Sequence, residues 1–204
     1  TAACKWINGQ LTALTDGSTN AAAYKVQVKN KKVYIAGSFF NANSRNVAAY
    51  WSDKIETTLS DGLTQACNND VLVAGSEIFS AGFIVRNGGG KKVATVWHNG
   101  VPMALADWRR ESVAMGVAVD GSSIQVVGYA NNKAGKMVAT LWKDSIPQDL
   151  TDGATDAVAN AISIYKSKSY IVGTTTNASG HKVATLWKDG EMTALSDGTS
   201  DAEA

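Results

Sequence analysis

An all-β fold, a five-bladed β-propeller built from four-stranded antiparallel blades, is predicted by an evenly spaced tryptophan repeat, by alternating apolar runs, and by Asp-Gly and Asn-Gly turns between them. Trp6, Trp51, Trp97, Trp142 and Trp187 stand 45, 46, 45 and 45 residues apart, each in a version of the segment Val183-Ala184-Thr185-Leu186-Trp187-Lys188-Asp189-Gly190. A period of about 40 to 50 residues that holds several turn-bounded strands is what a propeller blade needs and exceeds the usual solenoid coil.

Each unit opens with an alternating run: Tyr24 to Val28, Val71 to Val73, Val117 to Val119 and Ala161 to Ile164. Period-two alternation marks a half-buried strand. A polar turn leads to a second run that ends in a recurring glycine: Gly37, Gly82, Gly128 and Gly173. A Cβ there would crowd a strand end or block a positive φ. A loop of Asn, Ser and Gly precedes the tryptophan strand. A turn such as His98-Asn99-Gly100 then leads to an outer strand ending at Leu14, Leu59, Leu105, Leu150 or Leu195. Asn-Gly and Asp-Gly suit the primed turns of tight hairpins. The five repeat tryptophans are expected to pack between neighbouring blades, each contributing about 2 to 3 kcal/mol of burial.

The whole chain, 1–204, is expected to form a single domain, with a partial repeat at 1–20 and full ones at 21–65, 66–111, 112–156 and 157–204. The partial repeat carries the third and fourth strands only, and the chain reaches Ala204 just before another inner strand is due, giving five outer hairpins and four inner ones. One blade is therefore incomplete or is completed by another chain. An open edge of that kind invites strand addition.

Composition narrows the function. Nineteen basic and eighteen acidic residues leave a formal charge of +1 with no Lys/Arg block, so nucleic acid and anionic membranes are not the expected partners. The apolar runs are strand-sized, so membrane insertion is not expected, and no charged-then-apolar leader precedes Thr1. Cys4 and Cys67 occupy positions held elsewhere by Thr185 and Val158, and are expected to be buried free thiols rather than a disulfide.

Candidate chemistry lies on one face, where loops from the outer strand to the next inner strand meet loops from the second strand to the third. The former read Asp16-Gly17-Ser18-Thr19-Asn20, Asp61-Gly62-Leu63-Thr64-Gln65, Asp152-Gly153-Ala154-Thr155-Asp156 and Asp197-Gly198-Thr199-Ser200-Asp201; the latter carry Asn41, Asn87, Asn132 and Asn177 near their tips. Short acceptors and donors in a ring can bond paired hydroxyls, and equally can satisfy their own turn backbones. The Asp-Gly-x-Thr-Asp pattern offers oxygens to Ca²⁺ without the dense spacing of a dedicated loop; no cofactor and no metal site is expected. One loop breaks the pattern as Asp107-Trp108-Arg109-Arg110-Glu111. An indole beside Arg109 and Arg110 can stack on a sugar, engage an anionic group or anchor a protein partner, or simply pack locally beside a solvated ion cluster. A second departure is Phe83-Ile84-Val85-Arg86-Asn87-Gly88-Gly89-Gly90, one residue longer than its counterparts; Phe39 and Phe40 mark the equivalent stretch one repeat earlier.

Catalysis is not expected. His98 and His181 occupy unrelated repeat positions and lack metal-spaced partners. No nucleophile elbow, phosphate loop or dinucleotide fingerprint occurs. Asp70 and Asp120 are the acidic residues nearest the inner strands, too few to assign acid and base roles.

The blade order, and repeats of the type Tyr170-Ile171-Val172-Gly173 followed by Val183 to Gly190, resemble WD-like propeller repeats of secreted or surface-exposed bacterial proteins. In blade count and period they are similar to tachylectin-2-like five-bladed lectins. The resemblance spans nearly the whole chain and speaks to architecture, since one propeller hosts lectins, enzymes and scaffolds. It implies an extracellular or cell-surface, glycan-binding module with sugar sites between blades, though no residue motif carries those sites over. The expected partner is a glycan or a protein. The alternative is a structural subunit of an extracellular assembly, a homo-oligomer formed through the incomplete blade; a glycoside-active propeller enzyme is a second alternative.

Overall fold

The computed structural model describes residues 1–86 and 90–204. Its strands form four complete antiparallel meanders and one two-stranded sheet, with no helix among the described residues. The two-stranded sheet is β1 (Cys4–Ile7) with β2 (Gln10–Ala13). The meanders are β3 (Ala21–Lys29), β4 (Lys32–Phe40), β5 (Asn46–Ser52) and β6 (Ile55–Thr58); β7 (Ala66–Ala74), β8 (Glu77–Val85), β9 (Lys92–His98) and β10 (Val101–Ala104); β11 (Ser112–Asp120), β12 (Ser123–Asn131), β13 (Met137–Lys143) and β14 (Ile146–Asp149); and β15 (Ala157–Tyr165), β16 (Lys168–Thr176), β17 (Lys182–Lys188) and β18 (Glu191–Ala194). This is the all-β architecture of a five-bladed propeller, with one blade represented by its outer hairpin.

The inner strands are longer than the alternation suggested because each contains a bulge. The ladder between first and second strands slips between Ala23 and Lys25, Asn68 and Asp70, Ala114 and Gly116, and Ala159 and Ala161. Alternation breaks at the extra residue, which masks the first half of the strand in the sequence. Outer strands are four residues long and exposed. Pro102 and Pro147, the chain's two prolines, both sit in outermost strands, where a missing N–H leaves no ladder bond unmade and discourages edge pairing. The primed-turn expectation holds at Asn99-Gly100, where both φ angles are positive at 50° and 82°.

The recurring glycines lie three residues inside their strands, not at the ends. The sequence left two explanations open, and the geometry selects crowding: a Cβ on Gly37, Gly82, Gly128 or Gly173 would stand 1.9 to 2.1 Å from the carbonyl oxygen of Ala22, Cys67, Val113 or Val158. None of the four has a positive φ. The bulge draws the inner strand against its neighbour at this point, and only a hydrogen fits.

Cores lie between the sheets. Trp142 packs with Phe79, Ala94 and Leu105 of the preceding blade; Trp187 packs with Ala139 and Leu141, beside Leu150. Trp97 packs on Ala48 and Leu59, and Trp51 on Ala3 and Leu14. Trp97 Nε1 donates to the Leu59 carbonyl at 2.7 Å and Trp187 Nε1 to that of Leu150 at 3.2 Å. Four of the five repeat tryptophans thus fill blade interfaces. Trp6 does not: it is 66% exposed, as is Leu195 at 54%, although Leu195 stands where the other partners of this packing stand. Cys67 is a buried free thiol as expected, whereas Cys4 is only half-buried. Trp6 and Leu195 are bare because, among the described residues, the sheet of β15 to β18 does not pack on β1 as each preceding blade packs on Trp51, Trp97, Trp142 and Trp187; β1 also lacks the second-strand neighbour that flanks β5, β9, β13 and β17.

Candidate recognition site

The two loop families meet at one end of the sheets, and most of their repeated polar groups are engaged in holding that end together. Asp16, Asp61, Asp107, Asp152 and Asp197 each accept, through Oδ1, the backbone N–H two residues on, at 2.9 to 3.0 Å. Hydrogen bonds from Ser18 and Thr199 hold the Asp16 and Asp197 carboxyls below their ordinary value. Asn41, Asn132 and Asn177 clip the families together: each Nδ2 donates to the carbonyl of Gly62, Gly153 or Gly198 at 2.9 Å. Each Oδ1 accepts two amides of its own loop. Asn87 lies outside the described residues.

A second set of ties escaped the sequence reading. Gln65, Asp156 and Asp201 accept the amides that open the preceding tryptophan strand, those of Asn46, Met137 and Lys182, at 2.7 to 2.9 Å. The signal was present in the constant spacing of Asn20, Gln65, Glu111, Asp156 and Asp201, one acidic or amide side chain per repeat just before the inner strand.

The exception is the loop between β10 and β11. Trp108 occupies the place of Gly62, Gly153 and Gly198, whose φ angles are +71° to +73° and whose Cβ, if added, would meet the clipping Asn amide at 2.7 Å. An indole cannot share that arrangement. Trp108 stays out of the left-handed region and is 56% exposed, while Asp107 still caps the Arg109 amide at 3.0 Å. Lys91 Nζ donates to the Arg109 carbonyl at 2.6 Å, and Lys92 pairs with Glu111 at 3.6 Å. Arg86, Lys91, Arg109 and Arg110 are all exposed here. The exposed ring thus shares its loop with two exposed guanidinium groups, Arg109 and Arg110, while Asp107 is engaged by backbone and Glu111 by lysine.

At the bulges, one repeat position carries Tyr24, Asn69, Met115 and Asn160 in turn, amid otherwise repetitive strands. Asn69 Nδ2 donates to the Ala114 carbonyl of the next blade at 2.8 Å. Beside it, Asp70 bridges two blades, with Oδ1 accepting the Val71 amide at 2.8 Å and Oδ2 the Val117 amide at 3.0 Å. Burial raises the Asp70 carboxyl above its ordinary value, opposed by the Val117 amide, the Lys25 ammonium and the Val71 amide. The folded chain therefore holds this proton at pH values where the unfolded chain has released it. Stability from this group is full below the unfolded carboxylate value of about 4 and declines as pH rises through the higher folded value. Urea unfolding from pH 4 to 7 should show Asp70→Asn gaining on the unsubstituted chain as pH rises; a pH-independent difference would refute the assignment.

Asp120 closes β11. Tyr24, Ser38, Cys67 and Asn69 form a small polar chain, in which burial raises the Cys67 thiol above its ordinary value. His98 stacks on Phe79 and contacts Glu77 at 2.7 Å; His181 stands 3.6 Å from Asp201. Among the described residues no group of three His, Cys, Asp or Glu side chains is placed to hold a metal ion, and no helix is long and apolar enough to cross a membrane.

No protein-family model matches the chain, and comparison with curated proteins gives no significant sequence match. Solved structures do match in fold. A puromycin-hydrolyzing peptidase of Mycobacterium tuberculosis is 14% identical over 95% of this chain and 32% of its own, with a TM-score of 0.59. A thermostable family-43 glycoside hydrolase is 12% identical over 89% of this chain and 76% of its own, at 0.53. A fucose lectin from Kordia zhangzhouensis is 14% identical over 63% of this chain and 97% of its own, at 0.45. At these identities the likeness to the peptidase and the glycoside hydrolase is one of fold.

Proposed function

We propose that this chain is a non-catalytic recognition module, acting outside the cell or at its surface, that binds glycans through its loop face, with Trp108 as the stacking ring and Arg109 and Arg110 as the polar contacts. The observation that carries the reading is the exposed Trp108, placed where the other loops hold a glycine and followed in its loop by the exposed Arg109 and Arg110. An indole offers a large rigid face at little entropic cost, and guanidinium groups bond paired oxygens in a fixed fork. The two guanidinium groups favour acidic glycans. Asn41, Asn132 and Asn177 enter as supports, since their carboxamides already make three bonds each.

The non-catalytic part rests on Asp70, whose two oxygens are both committed to backbone amides. The test is an array of neutral and acidic glycans probed with and without Ca²⁺, accompanied by a glycoside-hydrolysis assay. Trp108→Ala should weaken an observed affinity by about tenfold or more, in line with the cost of a central aromatic anchor. An array with no binder sinks the lectin reading; an unchanged affinity moves the site elsewhere; turnover of a glycoside replaces the reading with catalysis.

A further inference from the structure

We infer that the crevice between the sheet of β11 to β14 and the sheet of β15 to β18, at the end of the propeller away from the loop face, binds a free α-amino acid with a hydrogen-bonding side chain. This site is separate from Trp108 and does not rest on the glycan reading.

The repeat supplies its own reference. Between the sheets of β7 to β10 and β11 to β14 the corresponding crevice, about 210 Å³, is lined by Val96, Met103, Leu105, Ile124 and Val126, and Phe79 shares a core with Ile124. One repeat later those six places hold Leu141, Gln148, Leu150, Ser169, Ile171 and Gln125. Three apolar side chains have become polar, and all three line one crevice of about 220 Å³. In the other blades the Gln125 position is Tyr34, Phe79 or Tyr170, and the Ser169 position Val33, Ile78 or Ile124. Exchanging an aromatic and an aliphatic contact for two polar groups sacrifices packing in a blade interface. A ligand that returns those contacts offsets the loss.

Gln125 points to what the ligand must offer. It is 4% exposed, and its Oε1 accepts the Ser169 hydroxyl at 2.7 Å. Gln125 lines the crevice with its amide nitrogen bonded to no group among the described residues. A buried donor in that condition calls for an acceptor, which a carboxamide or a hydroxyl supplies.

The mouth sets the rest of the ligand. Lys143 brings an ammonium to the crevice and Asp120 a carboxylate, yet neither enters an ion pair among the described residues. Opposite charges that share so small a space without meeting are matched by a ligand that carries both. Asp189 gives Oδ1 to the Ser169 amide at 3.0 Å, which leaves Oδ2 for a donor. An α-amino acid turns its carboxylate to Lys143, its ammonium to Asp120 and Asp189, and its side chain over Leu141 and Ile171 toward Gln125. A neutral sugar leaves both charges unmatched. The volume lies below that of drug-sized pockets and suits a molecule of about ten non-hydrogen atoms.

The test is calorimetric titration of the full chain with free glutamine and serine. N-acetylglutamine and glutamine amide remove one charge each, and glucose serves as a neutral molecule of similar size. Glutamine or serine is expected to bind with a Kd of about 1 mM or tighter, and each charge-removed form about tenfold more weakly. Asp120→Asn and Lys143→Gln should each weaken binding by about tenfold with an unchanged urea midpoint. Gln125→Phe combined with Ser169→Ile, which restores the pairing of Phe79 with Ile124, should abolish binding and leave the midpoint equal or raised. Should that double variant fail to fold, Asp120→Asn and Lys143→Gln carry the test. Trp108→Ala should leave the amino-acid affinity unchanged, which separates this site from the loop face. A crevice that holds water only, with neither amino acid bound at about 10 mM, overturns the assignment. So does glucose binding as tightly, or an affinity that neither Asp120→Asn nor Lys143→Gln alters.

Discussion

Gly128→Ala is expected to destabilise the fold by about 3 kcal/mol or more, at the upper end of overpacking costs. The added Cβ would stand 1.9 Å from the Val113 carbonyl oxygen, 3.0 Å from Ala114 Cα and 3.0 Å from the Val113 carbonyl carbon. All three are backbone atoms, so no side chain can swing aside. Relief requires β11 and β12 to part next to the bulge, which breaks ladder bonds in the strand that packs against the neighbouring blades. Since a domain of this kind holds only about 5 to 15 kcal/mol in total, soluble yield should fall along with the urea midpoint. A shift under about 1 kcal/mol would mean that the bulge is looser than the 1.9 Å approach implies.

Replacing the repeat tryptophans one at a time should give two classes of result. Trp97→Ala removes a fully buried ring packed on Ala48, Leu59 and Ala66, a change that typically costs about 3 to 5 kcal/mol. It also strips the Leu59 carbonyl of its 2.7 Å donor. Trp6→Ala removes a ring that is mostly in water, and should lie within about 0.5 kcal/mol of the parent. Calorimetric unfolding of the two variants reads this directly. Equal losses would show that Trp6 is buried in solution, by a second copy or by another segment.

The repeat arithmetic made the strands, the hairpin turns and the ring of Asp and Asn legible, because each of these depends on residues close in sequence. The bulges were less so. A single inserted residue shifts the side-chain period by one, and Ala21 to Ala23 or Ala66 to Asn68 then look like loop when read against the alternation that follows them. The recurring glycines were visible, but their reason was not, since the colliding carbonyl belongs to a residue some fifteen positions earlier in the chain, as Val113 does for Gly128. Trp108 stood out as the tryptophan that does not obey the repeat. That it faces water, and that Lys91 joins its loop from another part of the blade, required the fold.

What the sequence determined by itself is the repeat, and with it the all-β propeller architecture, for strand period and turn chemistry are local properties of the chain. What only the tertiary structure decided is which copies of a repeated residue do the same work. Trp6 and Trp97 stand in nearly the same sequence context, yet one is bare and the other fully covered, because burial is conferred by the neighbouring sheet and not by the strand that carries the ring. The same holds for Val26 and Val71, for Cys4 and Thr185, and for the glycine position that became Trp108.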